Sequence, residues 1–208
     1  MEQRMKEAKD DSSALKHFYN KALLTRMGKA LGEVYPSFDA KALQKLMARL
    51  ESLEMKPRVH VIRDELKRQL PEDYSKALSI LLASLKSRKI TGFDLWPYTE
   101  FVQTYGTGDL KRSLAALKAM TPLFTAEFAV RPFLRLHQKA TLDYLEACAL
   151  DKDVHVRRWA SEGSRPRLPW GERLQDFVKD PSPTRPILEL LKFDDELYVR
   201  KSVSNHLN

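Results

Sequence analysis

The chain repeats part of itself. Asp153-Val-His-Val-Arg-Arg-Trp-Ala-Ser-Glu162 superposes on Glu196-Leu-Tyr-Val-Arg-Lys-Ser-Val-Ser-Asn205, an offset of 43 residues that places Val156 over Val199, Arg157 over Arg200 and Glu162 over Asn205. A shorter echo, Ala126 to Phe133, runs through Val130-Arg131. A repeat of this length is one supersecondary unit, too small to bury its own apolar face, so copies must stack and share a continuous core.

The apolar spacing says what the unit is made of. Leu15, Phe18, Tyr19, Ala22 and Leu23 follow the helical period and predict a first helix from Ala14 to near Tyr35-Pro36. Leu43, Leu46, Met47, Leu50 and Leu53 predict a second, started by Asp39 and closed by Pro57. Val59, Ile62, Leu66 and Leu70 predict a third; Leu78, Leu81, Leu82 and Leu85 predict a fourth, begun at Pro71-Glu72-Asp73. Gly92 and Tyr105-Gly-Thr-Gly108 punctuate the middle, with Asp109 placed to cap a helix through Leu114 and Leu117. Phe93, Leu95, Trp96, Tyr98 and Phe101 fit one helix face and read as a buried contact, not as a platform for stacking bases. Pro132 kinks or bounds the helix it enters. No stretch alternates apolar and polar residues as a half-buried strand requires. The expected class is therefore all-α: one domain over residues 1–208, with 1–13 frayed, of HEAT-like helix pairs in a curved right-handed solenoid. The second helix of each pair would line a concave basic groove, where Arg157, Arg158, Arg200 and Lys201 converge.

The formal charge of +8 favours a polyanionic partner. Residues 1–120 hold 22 Lys and Arg against 15 Asp and Glu, while residues 121–208 hold 14 against 13, nine of them arginines. The front half reads as an electrostatic footprint and the back half as the part suited to bidentate anion contacts. A lone cysteine, Cys148, excludes an internal disulfide framework and reads as a small core residue. The polar N-terminus has no apolar core for a secretion signal, and no apolar run reaches the ~20 residues of a membrane span. The cytosol is the expected compartment. There is no Gly-rich phosphate loop and no paired Cys/His spacing, and the five histidines are scattered, so a metal site is not expected.

The densest chemistry lies in Val156 to Gly171, where Arg157, Arg158, Arg165 and Arg167 surround Glu162 between Trp159 and Trp170. In a helix Arg158 and Glu162 sit one turn apart on one face, and Gly163 with Pro166 ends that helix, throwing Arg165 and Arg167 into an extended segment. Glu127 is the only acid in its apolar stretch, Phe124 to Phe133. Two readings fit. The carboxylates bridge packed helices as ion pairs, or they face a developing positive charge such as the oxocarbenium-like sugar of glycosidic bond cleavage.

These residues resemble the AlkC-type DNA alkylation-repair glycosylases, relatives of the AlkD group. The resemblance spans nearly the whole chain, through Tyr35-Pro-Ser-Phe-Asp39, Leu53 to Val59, Leu70-Pro-Glu-Asp-Tyr74, Phe124 to Phe133, His155 to Gly163, Arg165-Pro-Arg-Leu-Pro-Trp170 and Tyr198 to Val203. It implies cofactor-free removal of cationic N3-alkylated bases, such as 3-methyladenine and 3-methylcytosine, from duplex DNA by a monomer. On this resemblance Glu127 and Glu162 are the acids at the lesion, Arg158 and Arg165 position them or grip flanking phosphates, and Trp170 offers an indole face. Arg157, Arg167, Arg200 and Lys201 are the further DNA-binding candidates. In the family an aspartate of the site directly follows the motif matching Ser202 to Asn208, where this sequence ends, and the immunoglobulin-like domain of some relatives is not expected here. Two alternatives remain: a non-catalytic repeat protein for damaged, bent or branched DNA, and a helical scaffold for an acidic protein.

Overall fold

The structure, a computed structural model, describes residues 15–208; the segment expected to fray, 1–13, lies outside the described residues. Among the described residues there is no strand, and the chain divides into two compact units, one up to Phe101 and one from Val102 on.

In the first unit a 3-10 turn, Lys16–Phe18, precedes α1, Lys21–Val34. The helix predicted from Ala14 starts later because Asn20 is extended and caps it, its side chain accepting from the Leu23 N–H at 3.1 Å. The predicted second helix is two short ones, α2 (Ala40–Lys45) and α3 (Met47–Leu50), with Asp39 capping α2 as expected. Pro57 closes nothing. It lies in the first turn of α4, Met55–Gln69, where a missing N–H removes no helix bond. α5, Tyr74–Ser84, is capped by Asp73, whose side chain accepts from the Lys76 N–H. Buried Arg58 knits this unit by donating to the carbonyls of Leu53, Lys16, Tyr19 and Glu51. Trp96, Tyr98 and Phe101 are buried in the core, each worth about 1.5–3 kcal/mol or more of apolar burial, as their helix-face spacing implied. They lie on or beside the start of α6, Trp96–Tyr105, within which the division between units falls.

The second unit holds α7 (Leu110–Met120), α8 (Arg131–Leu136), α9 (Gln138–Cys148), α10 (Val154–Gly163), α11 (Gln175–Lys179), α12 (Arg185–Leu191) and α13 (Leu197–Leu207). Asp109 and Asp153 cap α7 and α10, and Pro132 stands in the first turn of α8, so it bounds that helix without kinking it. α10 is the hub, packing against α9, α12 and α13 with Val156, Trp159 and Ala160 buried. Cys148 is buried too, and burial pushes its thiol up to about 11, the behaviour of a core residue.

The sequence repeat is a repeat of bonds. Arg157 Nη1 donates to the carbonyls of Asp151 and Lys152 at 3.0 and 3.1 Å; Arg200 Nη1, one repeat on, donates to those of Asp194 and Asp195 at 2.5 and 2.9 Å. The acid of each such turn also grips the preceding layer, Asp151 pairing with Lys118 of α7 at 2.6 Å and Asp194 with Arg157 of α10 at 2.6 Å. α10 and α13 run side by side in the same direction, because Arg157 meets Asp194 just before α13 while the Ser161 carbonyl meets His206 near its end. Helix pairs stacked in this way are the HEAT-like architecture that the 43-residue offset predicted.

Candidate active site

Arg158 points from α10 at two acids. Its Nη1 donates to Glu127 and, at 3.2 Å, to Thr125 Oγ1, while its Nη2 stands 3.6 Å from Glu162 Oε2. The Glu162 contact follows from helix geometry, four residues and about one turn apart. The Glu127 contact is long-range: Glu127 sits in the loop between α7 and α8, where the Thr125 hydroxyl donates to its Oε2 at 2.8 Å. One guanidinium thus joins two carboxylates that are 8% and 3% exposed.

The two acids are held differently. Glu162 Oε1 accepts from Arg165, and its Oε2 accepts from the Ser202 hydroxyl of α13 at 2.6 Å. Both contacts of Glu127 fall on Oε2, leaving Oε1 without a hydrogen-bond partner among the described residues. Glu162 is an anchor; Glu127 keeps an open oxygen. Below them Arg158 lies 5.4 Å from the Tyr198 ring centroid, and His155 meets that ring edge-on at 5.8 Å. A small cavity of about 220 Å³ opens beside Arg158, walled by Phe124, His155 and Tyr198.

The segment after α10 supplies the remaining cations. α10 ends at Gly163, where a Cβ would lie 2.7 Å from Val130 Cγ1, so a larger residue fits only if Val130 shifts. The loop then passes Arg165 over Glu162 and turns at Leu168-Pro169-Trp170-Gly171, where the Gly171 N–H donates to the Leu168 carbonyl at 3.0 Å. Trp170 is half exposed and has φ +65°, a left-handed backbone that costs a bulky residue about 1–3 kcal/mol. Arg165, Arg167 and Trp170 line a groove of about 1040 Å³, together with Arg173, Arg185 and His206. Asp180 and Glu189 line the groove as well, and it touches the acid pair only through Arg165.

No family model matches the chain. The Bacillus subtilis (strain 168) protein called Uncharacterized protein YhaZ is 42% identical over 197 residues, which are 93% of this chain and 54% of that protein. The structure of Pseudomonas fluorescens alkylpurine DNA glycosylase AlkC, bound to DNA containing an abasic site analog, matches with a TM-score of 0.86 and 43% identity over 93% of this chain. Over 93% of its length the chain is AlkC-like in sequence and in fold. It spans about half the length of both of these relatives, 54% in each case.

In this AlkC-like chain the acid pair, Arg158 and Arg165 come together in one cluster, and Trp170 and exposed Arg167 stand at the groove beside it. Arg157 and Arg200 do not join the acids: their donors face the turn carbonyls, and Arg157 also holds Asp194 well below the usual carboxylate range. Lys201 is exposed on α13. Thr125, Ser202 and Tyr198, which fasten the cluster, do not stand out in the sequence. Each lies inside a segment that carries the resemblance, but a hydroxyl gives no periodic or compositional signal of its own. Among the described residues no group of His, Cys, Asp or Glu is placed to hold a metal ion, and no helix is long and apolar enough to cross a membrane.

Proposed function

We propose that the chain is a monofunctional DNA glycosylase for cationic N3-alkylated bases, 3-methyladenine and 3-methylcytosine among them, acting on duplex DNA as a cytoplasmic monomer without metal or organic cofactor. An alkylated base already carries a positive charge, so the glycosidic bond breaks without a general acid. The bonding pair leaves with the ring nitrogen and neutralises the base, and the charge moves to the sugar as an oxocarbenium-like centre. A carboxylate next to that centre stabilises it. Water then adds at C1′, its proton passing to a carboxylate or to solvent, and an abasic site remains.

The observation that carries this reading is the buried pair Glu127 and Glu162 joined by Arg158. Glu127, with its open Oε1, is the acid suited to face the sugar and the water, and Glu162 keeps Arg158 and Arg165 in place. Trp170 offers its indole to the cationic base, while Arg165 and Arg167 meet flanking phosphates. The named activity of the Pseudomonas relative supports the same chemistry.

The test is base release from a duplex carrying one 3-methyladenine. The chain is expected to liberate free base and leave an abasic site, and Glu127→Gln is expected to reduce release by about 100-fold or more, the usual loss on removing one transition-state stabiliser, with DNA binding retained. Binding without release at high protein excess would replace this reading with that of a non-catalytic damaged-DNA binder.

A further inference from the structure

Arg131 is fully buried at the start of α8, and its guanidinium contacts no acid directly. Its three nitrogens reach three backbone carbonyls: Nη1 donates to Gly163 at 3.1 Å, Nη2 to Pro166 at 3.2 Å, and Nε to Glu172. Those carbonyls bracket the loop that carries Arg165 and Trp170. Gly171, inside the loop, lies so close that a Cβ there would stand 3.3 Å from Arg131 Cδ. Two features need such a brace. Arg165 reaches back three residues to Glu162, and Trp170 holds a left-handed backbone, which persists only where the surroundings over-determine it.

We propose that Arg131 is a positioning residue, a buried three-pronged strut that fixes the 163–172 loop so that Arg165 closes on Glu162 and Trp170 stands out at the groove. The planar fork suits this role, because its donors diverge in one plane and span carbonyls nine residues apart in sequence, which a lysine point charge does not. Burial costs the cation, and pushes Arg131 down to about 10, so the position is an expensive one to fill with arginine for packing alone. The functional part of the inference rests on the glycosylase reading above; the structural part does not.

Arg131→Lys keeps the charge and loses the fork. Native-state hydrogen exchange is expected to quicken at the Gly171 and Leu174 amides, which bond to the Leu168 and Pro166 carbonyls inside the loop, by about 10-fold or more, while the amides of α10 keep their protection. On methylated duplex, single-turnover base release should fall by about 100-fold, the scale of a 1 Å misplacement. General damage to the fold would lower the protection of α10 as well. Wild-type protection of the loop amides, or wild-type release, overturns the proposal. If the unaltered chain releases no base, the glycosylase reading fails, and the exchange comparison alone decides whether Arg131 holds the loop. Should Arg131→Lys not fold, Arg131→Met, which keeps an apolar stem and removes the fork, makes the same test: faster loop exchange supports the strut, and unchanged exchange with unchanged release removes it.

Discussion

At Arg158 a single cation serves two acids whose side chains are 10% and 4% exposed. Taking it away strands Glu127 without a cation in a poorly solvated place, while Glu162 keeps Arg165, so Arg158→Met is expected to destabilise the fold by about 3–5 kcal/mol, read from the urea midpoint. Arg158→Met combined with Glu127→Gln should recover part of that loss, because the stranded charge is gone; equal or greater loss in the double variant contradicts this account of Arg158. Arg157, one residue earlier, shows where sequence reading stops. Adjacent helix positions differ by about 100° of rotation, so the pair Arg157-Arg158 splits, one facing the seam between repeats and the other the acids. The Arg158 and Glu162 spacing is legible because it is local. The partner of Arg157, Asp194, is 37 residues away, and nothing in composition assigns a cation to a distant turn.

Among the elements, α10 carries the site and is also the most tightly packed against its neighbours. Gly163→Ala drives a methyl into Val130 and is expected to cost about 1–3 kcal/mol; Val130→Ala in the same chain should return most of it, and a thermal or urea melt of the pair decides. The docking of α13 onto α10 has a pH signature. His206 Nδ1 donates to the Ser161 carbonyl at 2.9 Å, and burial pushes its imidazole down from 6.5 to about 4. The unfolded chain therefore takes up this proton first, and stability falls as pH drops from about 6.5 towards 4. His206→Gln should flatten that slope, as measured by urea midpoints across the range; an unaltered slope assigns the loss elsewhere. Helices with a strong apolar period and an Asp start signal, α5 and α7, stand where the sequence puts them. The misplaced boundaries come from side chains with two legitimate uses: Asn20 caps a helix that periodicity alone would start earlier, and Pro57, a residue type that can equally end a helix, starts one.

For the molecule as a whole, the charge of +8 and the groove lined by Arg165, Arg167, Arg173 and Arg185 argue for a phosphate-rich partner. If the chain neutralises about six phosphates, its DNA affinity should fall about 10³-fold between about 50 and 200 mM salt. A salt-independent affinity would favour an acidic protein partner instead. The helix-pair class is legible from the repeat, Glu162 from its arginine-rich company and Glu127 as the lone acid of an apolar stretch. What sequence leaves open is whether Glu127 and Glu162 meet at all, since a loop and a helix 35 residues apart come together where Val130, just before α8, lies against Gly163 of α10. The sharpest test of the claim that these two acids act as one device is single-turnover base release by Glu127→Gln, Glu162→Gln and the double variant. Residues that work as a unit are non-additive, so each single change should lose about 100-fold or more and the double should be slower than the worse single by less than about 3-fold. Release that survives both single substitutions, or losses that simply multiply, would contradict it.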